Sequence, residues 1–286
     1  MTARFVAQSA PALAAALALG ISDILAKIIL TAHGGVLTTL SFRAVVGLAF
    51  MTAWLYVGRR PLRADTRVRL ISFATGVLFA ALIFCLFKAI EAIDVPTAVL
   101  TYCSYPLRTG IGAAAAGLER LHWQGFVCAV AAFCGLAVMI GAHPEGVALA
   151  GIAFGLGAAC CRTGVLIITR AFLVGENARL TTWYSVVAQA LIFVAASLGA
   201  GTWNSPQTTL GWVALVAMSV ATTASILFVF VSTVRIGPFR TALIMNLEPL
   251  IAMILSALVL GEVITPLQAA GSGIMLVALV AFQLLR

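Results

Sequence analysis

Charge is what this chain has least of. Only 9% of its 286 residues are Asp, Glu, Lys or Arg, against about 25% in ordinary soluble domains. With 63% hydrophobic residues and a mean hydropathy of +1.13, too little polar surface exists to cover a water-soluble globule. Histidine is scarce, and His33, His122 and His143 all fall at expected loops. The chain has no phosphate-cradling glycine loop, no HExxH, no carboxylate pair at catalytic spacing and no Cys-His cluster. Those absences argue against an ATPase, a metalloenzyme or an intramembrane enzyme, and neither metal nor cofactor is expected. Cys85, Cys103, Cys128, Cys134, Cys160 and Cys161 sit in apolar runs without metal-ligand spacing, as small packing residues do. The formal charge of +8 does not point to nucleic acid, because the arginines lie in short loops, where they orient a membrane protein.

What the chain has instead is long apolar runs. A membrane-spanning helix needs about 20 such residues, because each backbone polar group must be satisfied within the segment. Ten spans are expected, at about 9–31, 36–57, 68–90, 95–117, 122–141, 147–172, 179–200, 209–234, 239–260 and 265–285. A transmembrane barrel would show alternating segments of about 10 residues, which this chain lacks. The run after Arg4 resembles a signal peptide but continues to Leu30, so an uncleaved first helix is expected. The connections are too short for a soluble module, and residues 1–286 form one all-α membrane domain.

Basic residues set the orientation. Arg59, Arg60, Arg63, Arg67 and Arg69 follow the second span, and Arg4, Arg120, Arg170, Arg179, Arg235, Arg240 and Arg286 fall on the same side. The other side has only Lys27 and Lys88 near span ends. Both termini are therefore expected in the cytoplasm, in a bacterial-type inner membrane.

The stretch Thr241–Glu262 carries Asn246, Glu248 and Pro249 inside an apolar run. Pro249 removes a backbone donor and crowds the carbonyl of Met245, so a break is expected there. A carboxylate at that depth costs about 2.5–3.5 kcal/mol on insertion scales and should face a wet cavity or the bundle interior. The pattern repeats. Pro106-Leu107 matches Pro249-Leu250, Glu119 matches Glu262, and Leu37-Thr38-Thr39 matches Leu180-Thr181-Thr182, each at an offset of 143 (249 − 106). The halves are thus 1–143 and 144–286. Five spans per half is odd, so the halves must be inverted. Inverted repeats with interrupted helices characterise secondary transporters, whose substrate binds between the halves near the midplane.

These residues resemble the drug/metabolite transporter superfamily and, within it, the EamA-type members. The second half carries LEPLIAMILSALVLGE, then Thr265-Pro266-Leu267-Gln268 and Gly271; the first keeps Pro106-Leu107, Glu119 and Trp123-Gln124-Gly125, with Tyr105 where the second has Glu248. Arg43, in Ser41-Phe42-Arg43, also resembles the family's arginine near the start of span two. The resemblance implies a ten-helix bundle around a cavity lined mainly by spans one, three, four, six, eight and nine. It also implies transport of amino acids, drugs, metabolites, vitamins or nucleotide derivatives.

The candidate binding or coupling residues are the polar ones at membrane depth. Asp23 and Lys27 stand at i and i+4 and can pair with each other, or Asp23 can answer a proton or a cationic substrate. Tyr102, Tyr105 and Arg108 flank Pro106 and either line the cavity or pack between helices. Arg162 interrupts span six and must find a partner on another helix or in a ligand; Glu248 is one such partner. Arg43 is read as a helix anchor or lipid-phosphate contact, Trp183 and Tyr184 as interfacial anchors, and Gly151 and Gly155 as a close-packing face. Glu119 and Glu262 are read as holding turns at opposite faces. The expected partners are a small-molecule substrate, the lipid bilayer and protons as one coupling option, with the protein a monomer. The leading expectation is a secondary transporter exporting amino acids or related amphipathic metabolites by alternating access. The alternative is an importer of a vitamin or organic anion, with Arg108 and Arg162 as clamps.

Overall fold

The computed structural model describes residues 2–33, 35–58, 64–141, 148–201 and 203–284, and the side chains from residue 8 onward. Arg59, Arg60, Arg63, His143 and Arg286 lie outside the described residues, as does the side chain of Arg4. The described chain is helical, with no strand. Its elements are α1 (Thr2–Thr31), α2 (Val36–Val57), α3 (Thr66–Ala92), α4 (Val95–Tyr102), α5 (Tyr105–Ala115), α6 (Trp123–Ile140), α7 (Leu149–Phe172), α8 (Ala178–Ala200), α9 (Thr209–Ile236), α10 (Pro238–Met245), α11 (Leu247–Leu260) and α12 (Pro266–Leu284). Nine segments among the described residues are long and apolar enough to cross a membrane, the α10–α11 stretch counting as one. The fourth span consists of α4 and α5, of 8 and 11 residues, end to end.

Local chemistry explains the ends and the breaks. Asp65 accepts from the Thr66 N–H at the start of α3, Asp94 from the Thr97 N–H in α4, and Thr208 from the Gly211 N–H in α9, satisfying donors that a helix start leaves free. Pro106 cannot donate to the carbonyl of Tyr102, nor Pro249 to that of Met245. The helices end at those residues. Helix α4 stops at Tyr102, with the Ser104 hydroxyl bonded back to the Thr101 carbonyl at 2.7 Å, and α10 stops at Met245, with Asn246 as the joint to α11.

The exterior is apolar, as lipid requires: Leu258 is 77% exposed and Val277 71%. The interior mixes apolar side chains with many small hydroxyl-bearing ones. Ser41, Ser72, Ser185, Ser219 and Thr241 are fully buried; Ser41 bonds the Phe193 carbonyl of a neighbouring helix, Ser219 the Leu215 carbonyl of its own, and Thr241 the Ser232 hydroxyl. Such residues suit a solvent that offers helices no hydrophobic drive to associate and rewards close approach and hydrogen bonding. Helix α1 packs on α9 and α3 on α7; α3 meets α8 and α2 meets α9; α6 pairs with α12. Gly151 and Gly155 let α7 press against Ile93 and Thr101.

Contacts between helix ends define the two faces of the bundle. At one face Arg67 lies over Phe172, Arg179 over Trp54, and Arg170 bonds the Val234 carbonyl. At the other, the Gly35 N–H donates to the Asn204 carbonyl and Gln207 to Ala32. Trp183 donates its indole N–H to Thr52 at 2.8 Å, so it ties α8 to α2 as well as standing at the first face.

The α6–α12 contact yields a test. A Cβ on Gly271 would stand 2.3 Å from the backbone N of Met139 and 2.6 Å from the Gly135 carbonyl oxygen, whereas one on Gly273 meets nothing within 4 Å. Gly271→Ala is expected to destabilise the bundle by about 1–3 kcal/mol, read as a lower thermal midpoint in detergent. Gly273→Ala should leave the midpoint unchanged or slightly raised.

Candidate functional site

Both proline breaks meet at the floor of a cavity of about 520 Å³. Its walls come from α1, α4, α6 and α11, with Leu86 of α3 and Gln268 of α12 at the edges. Helices α7 and α9 contribute nothing to the lining, contrary to the expectation for spans six and eight, because α7 is pressed behind α3 and α4 through its glycines. The cavity opens where α1 and α11 finish and α4 begins. Lys27 and Glu262 pair at that rim, with side chains 49% and 51% exposed.

Of the sequence candidates, Asp23, Lys27, Tyr102, Tyr105, Asn246, Glu248 and Pro249 share this lining. Tyr102 and Tyr105 stack at 5.4 Å between ring centroids with a tilt of 31°. The Tyr105 hydroxyl donates to the Ala242 carbonyl at 3.2 Å, fixing the first break against α10. Asn246 is buried, and its Oδ1 has no hydrogen-bond partner among the described residues. A buried acceptor without a partner is costly in a folded protein, and this one belongs to a residue of the cavity lining.

Arg162 is buried, 4% exposed, and stands behind the tyrosines instead of in the lining. Its guanidinium lies 5.6 Å from the Phe79 ring centroid and 5.7 Å from that of Tyr105, within cation–π range. Its Nε and Nη2 have no hydrogen-bond partner among the described residues. It acts on Glu248 electrostatically without reaching ion-pair distance. The direct Arg162–Glu248 bridge considered from sequence is therefore absent.

Two other expectations are corrected. Lys27 does not pair with Asp23 one turn away; it bonds Glu262, which also accepts from Ser256. Those bonds, Lys27's first, hold the Glu262 carboxyl below its usual pKa. Asp23 is left open to the cavity, within electrostatic reach of Glu248 and of Arg43 on α2. Arg108 is not brought to the cavity at all. Its Nη1 meets Cys160 Sγ at 3.1 Å and its Nε meets Ser104 Oγ at 3.3 Å, because it sits most of a turn around the helix from the tyrosine face. Pro106 is buried at the start of α5 and acts through the break alone.

Sequence reading missed the role of Arg43 beside Asp23, and the methionines Met139, Met245 and Met253 in the wall. Arg43 was visible as a cation at depth; nothing in their spacing distinguishes these methionines from core residues.

A sequence profile of the EamA-like transporter family matches the chain twice, over residues 10–141 and 149–282. None of the curated proteins matches. A solved structure described as "Crystal structure of protein" superposes with a TM-score of 0.80 over 97% of this chain and 99% of its own, at 18% identity. At that identity the likeness shows a shared fold. With two matches spanning nearly all of its length, the chain belongs to the EamA-like transporter family.

Proposed function

We propose that this membrane transporter moves small amphipathic zwitterions, amino acids or close relatives, out of the cell by alternating access. The observation that carries the reading is one cavity whose floor is built from two helix breaks and whose polar groups are mixed in sign. Asp23, Glu248 and Asn246 suit an ammonium group, Lys27 at the rim is the cation of the lining and suits a carboxylate, and the tyrosine stack and methionines suit an apolar side chain.

Two inverted halves, 1–143 and 144–286, support the mechanism. Exchanging each span with the one five later maps α1·α9 onto α7·α3, and α3·α8 onto α9·α2, both of which are observed pairings. Rocking one half against the other would close the present opening and open the opposite end. The basic residues gathered at the face opposite the cavity mouth support a mouth that faces outward and termini in the cytoplasm of an inner membrane. Protons couple to transport through Glu248 or Asp23, and one chain suffices as a monomer. The anion-import alternative finds neither of its two clamps in the lining, since Arg108 points away from the cavity and Arg162 stands behind the tyrosines.

Purified protein in liposomes preloaded with radiolabelled amino acids should show saturable efflux that a proton gradient accelerates. Glu248→Gln is expected to abolish the response to the gradient. Equal flux in both proteins, gradient or not, would assign Glu248 a structural role and leave uniport. No efflux of any amino acid, with saturable movement of organic anions, would overturn the substrate class.

Removing the Tyr102 ring by substitution to Ala should raise the half-saturating substrate concentration by up to about tenfold, the worth of one aromatic contact. Arg108→Ala should change it by less than about twofold, as expected for a site away from the contact surface. Competition binding of unlabelled substrate measures both.

A further inference from the structure

The end of the bundle opposite the cavity is held by a contact that no part of the cavity requires. Helix α10 begins without a side-chain cap of its own. Its cap comes instead from the other half of the chain: Glu119, in the connection after α5, accepts the Phe239 N–H at 2.9 Å. Gly237 makes room for it. This residue has φ 91° and ψ 164°, a backbone conformation essentially confined to glycine, and a Cβ there would land on the Glu119 carboxylate. Burial raises the carboxyl's pKa, while the Phe239 N–H and the nearby Arg240 and Arg170 pull it back down.

The 143-residue offset shows what the equivalent place at the open end looks like. Glu119 maps to Glu262, Gly237 to Asp94 (237 − 143), Phe239 to Pro96 (239 − 143) and Arg170 to Lys27 (170 − 143). At that end the reciprocal contact is chemically barred. Pro96 has no N–H to donate, and Asp94 already occupies the start of α4 by accepting the Thr97 N–H at 3.0 Å. Glu262 is turned back onto Lys27 and Ser256. At the equivalent place by Glu119 stands Arg170, which bonds the Val234 carbonyl and is near enough to act on the Glu119 carboxylate.

We propose that Glu119 is a latch residue that keeps the closed end of the transport path shut by capping α10 across the two halves. Because the open end has no such latch, the empty transporter rests with the present cavity open, and each cycle requires Glu119 to leave α10. This rests on the alternating-access reading above.

The test uses the full chain in lipid nanodiscs with Val99→Cys in the cavity wall as reporter. A maleimide marks it, and mass spectrometry of the adduct separates it from the native thiols. Hydrogen exchange at the first amides of α10 is followed in parallel. Glu119→Ala removes the latch, and Gly237→Ala evicts it while keeping the acid. Both are expected to slow Val99→Cys labelling and to speed α10 exchange by about fivefold, the effect of losing one N-cap. Faster α10 exchange with unchanged labelling would overturn the latch, making Glu119 a local cap only. Failure of the transport reading shows elsewhere, as absence of saturable flux in liposomes, so the two failures are distinguishable.

Discussion

A bilayer offers a backbone no partner for a stray carbonyl or N–H, so a helix within it can break only where protein or water supplies one. This chain breaks two of its spans, at Tyr102–Tyr105 and at Asn246, and both breaks lie at the floor of a cavity of about 520 Å³. The rest of the architecture serves that constraint. Hydroxyls satisfy carbonyls inside helices, glycines bring α6 to α12 and α7 to α3 and α4, and the apolar surface is turned outward.

The two breaks are alike in backbone and unlike in side chain. The first presents stacked tyrosines, the second an amide and a carboxylate, with Tyr105 and Glu248 at equivalent positions (248 − 105 = 143). The two equivalent positions thus supply an aromatic group and an ionisable group to one cavity. Arg162 is placed behind the tyrosines, where ring faces compensate a guanidinium that no carboxylate reaches. A buried cation held this way leaves its Nε and Nη2 without a hydrogen-bond partner among the described residues.

The two ends of the bundle also diverge from their common pattern. Each has a glutamate after the broken span and a base at the equivalent place, Lys27 or Arg170. One end carries Gly237 and a Phe239 N–H that Glu119 accepts; the other carries Asp94 and Pro96. Small differences at helix starts of this kind decide which end of a pseudo-symmetric bundle closes more tightly, because a two-state ratio shifts about tenfold for each 1.4 kcal/mol.

The sequence by itself determined the helical class, the span positions to within a few residues, the two proline breaks and the inventory of polar side chains at depth. Each follows from a local rule: apolar length, a missing amide donor, or the cost of a charge in hydrocarbon. Only the tertiary structure decided the partners. The i, i+4 spacing allowed Asp23 to meet Lys27, but packing of α1 on α11 brings Glu262 closer. Arg162 and Arg108 looked alike as lone cations, yet helix rotation turns one toward aromatic rings and the other toward Ser104 and Cys160. Glu119 looked like a turn residue until the start of α10 was found beside it. Such choices depend on the depth and rotation of helices far apart in the chain, which local spacing does not encode.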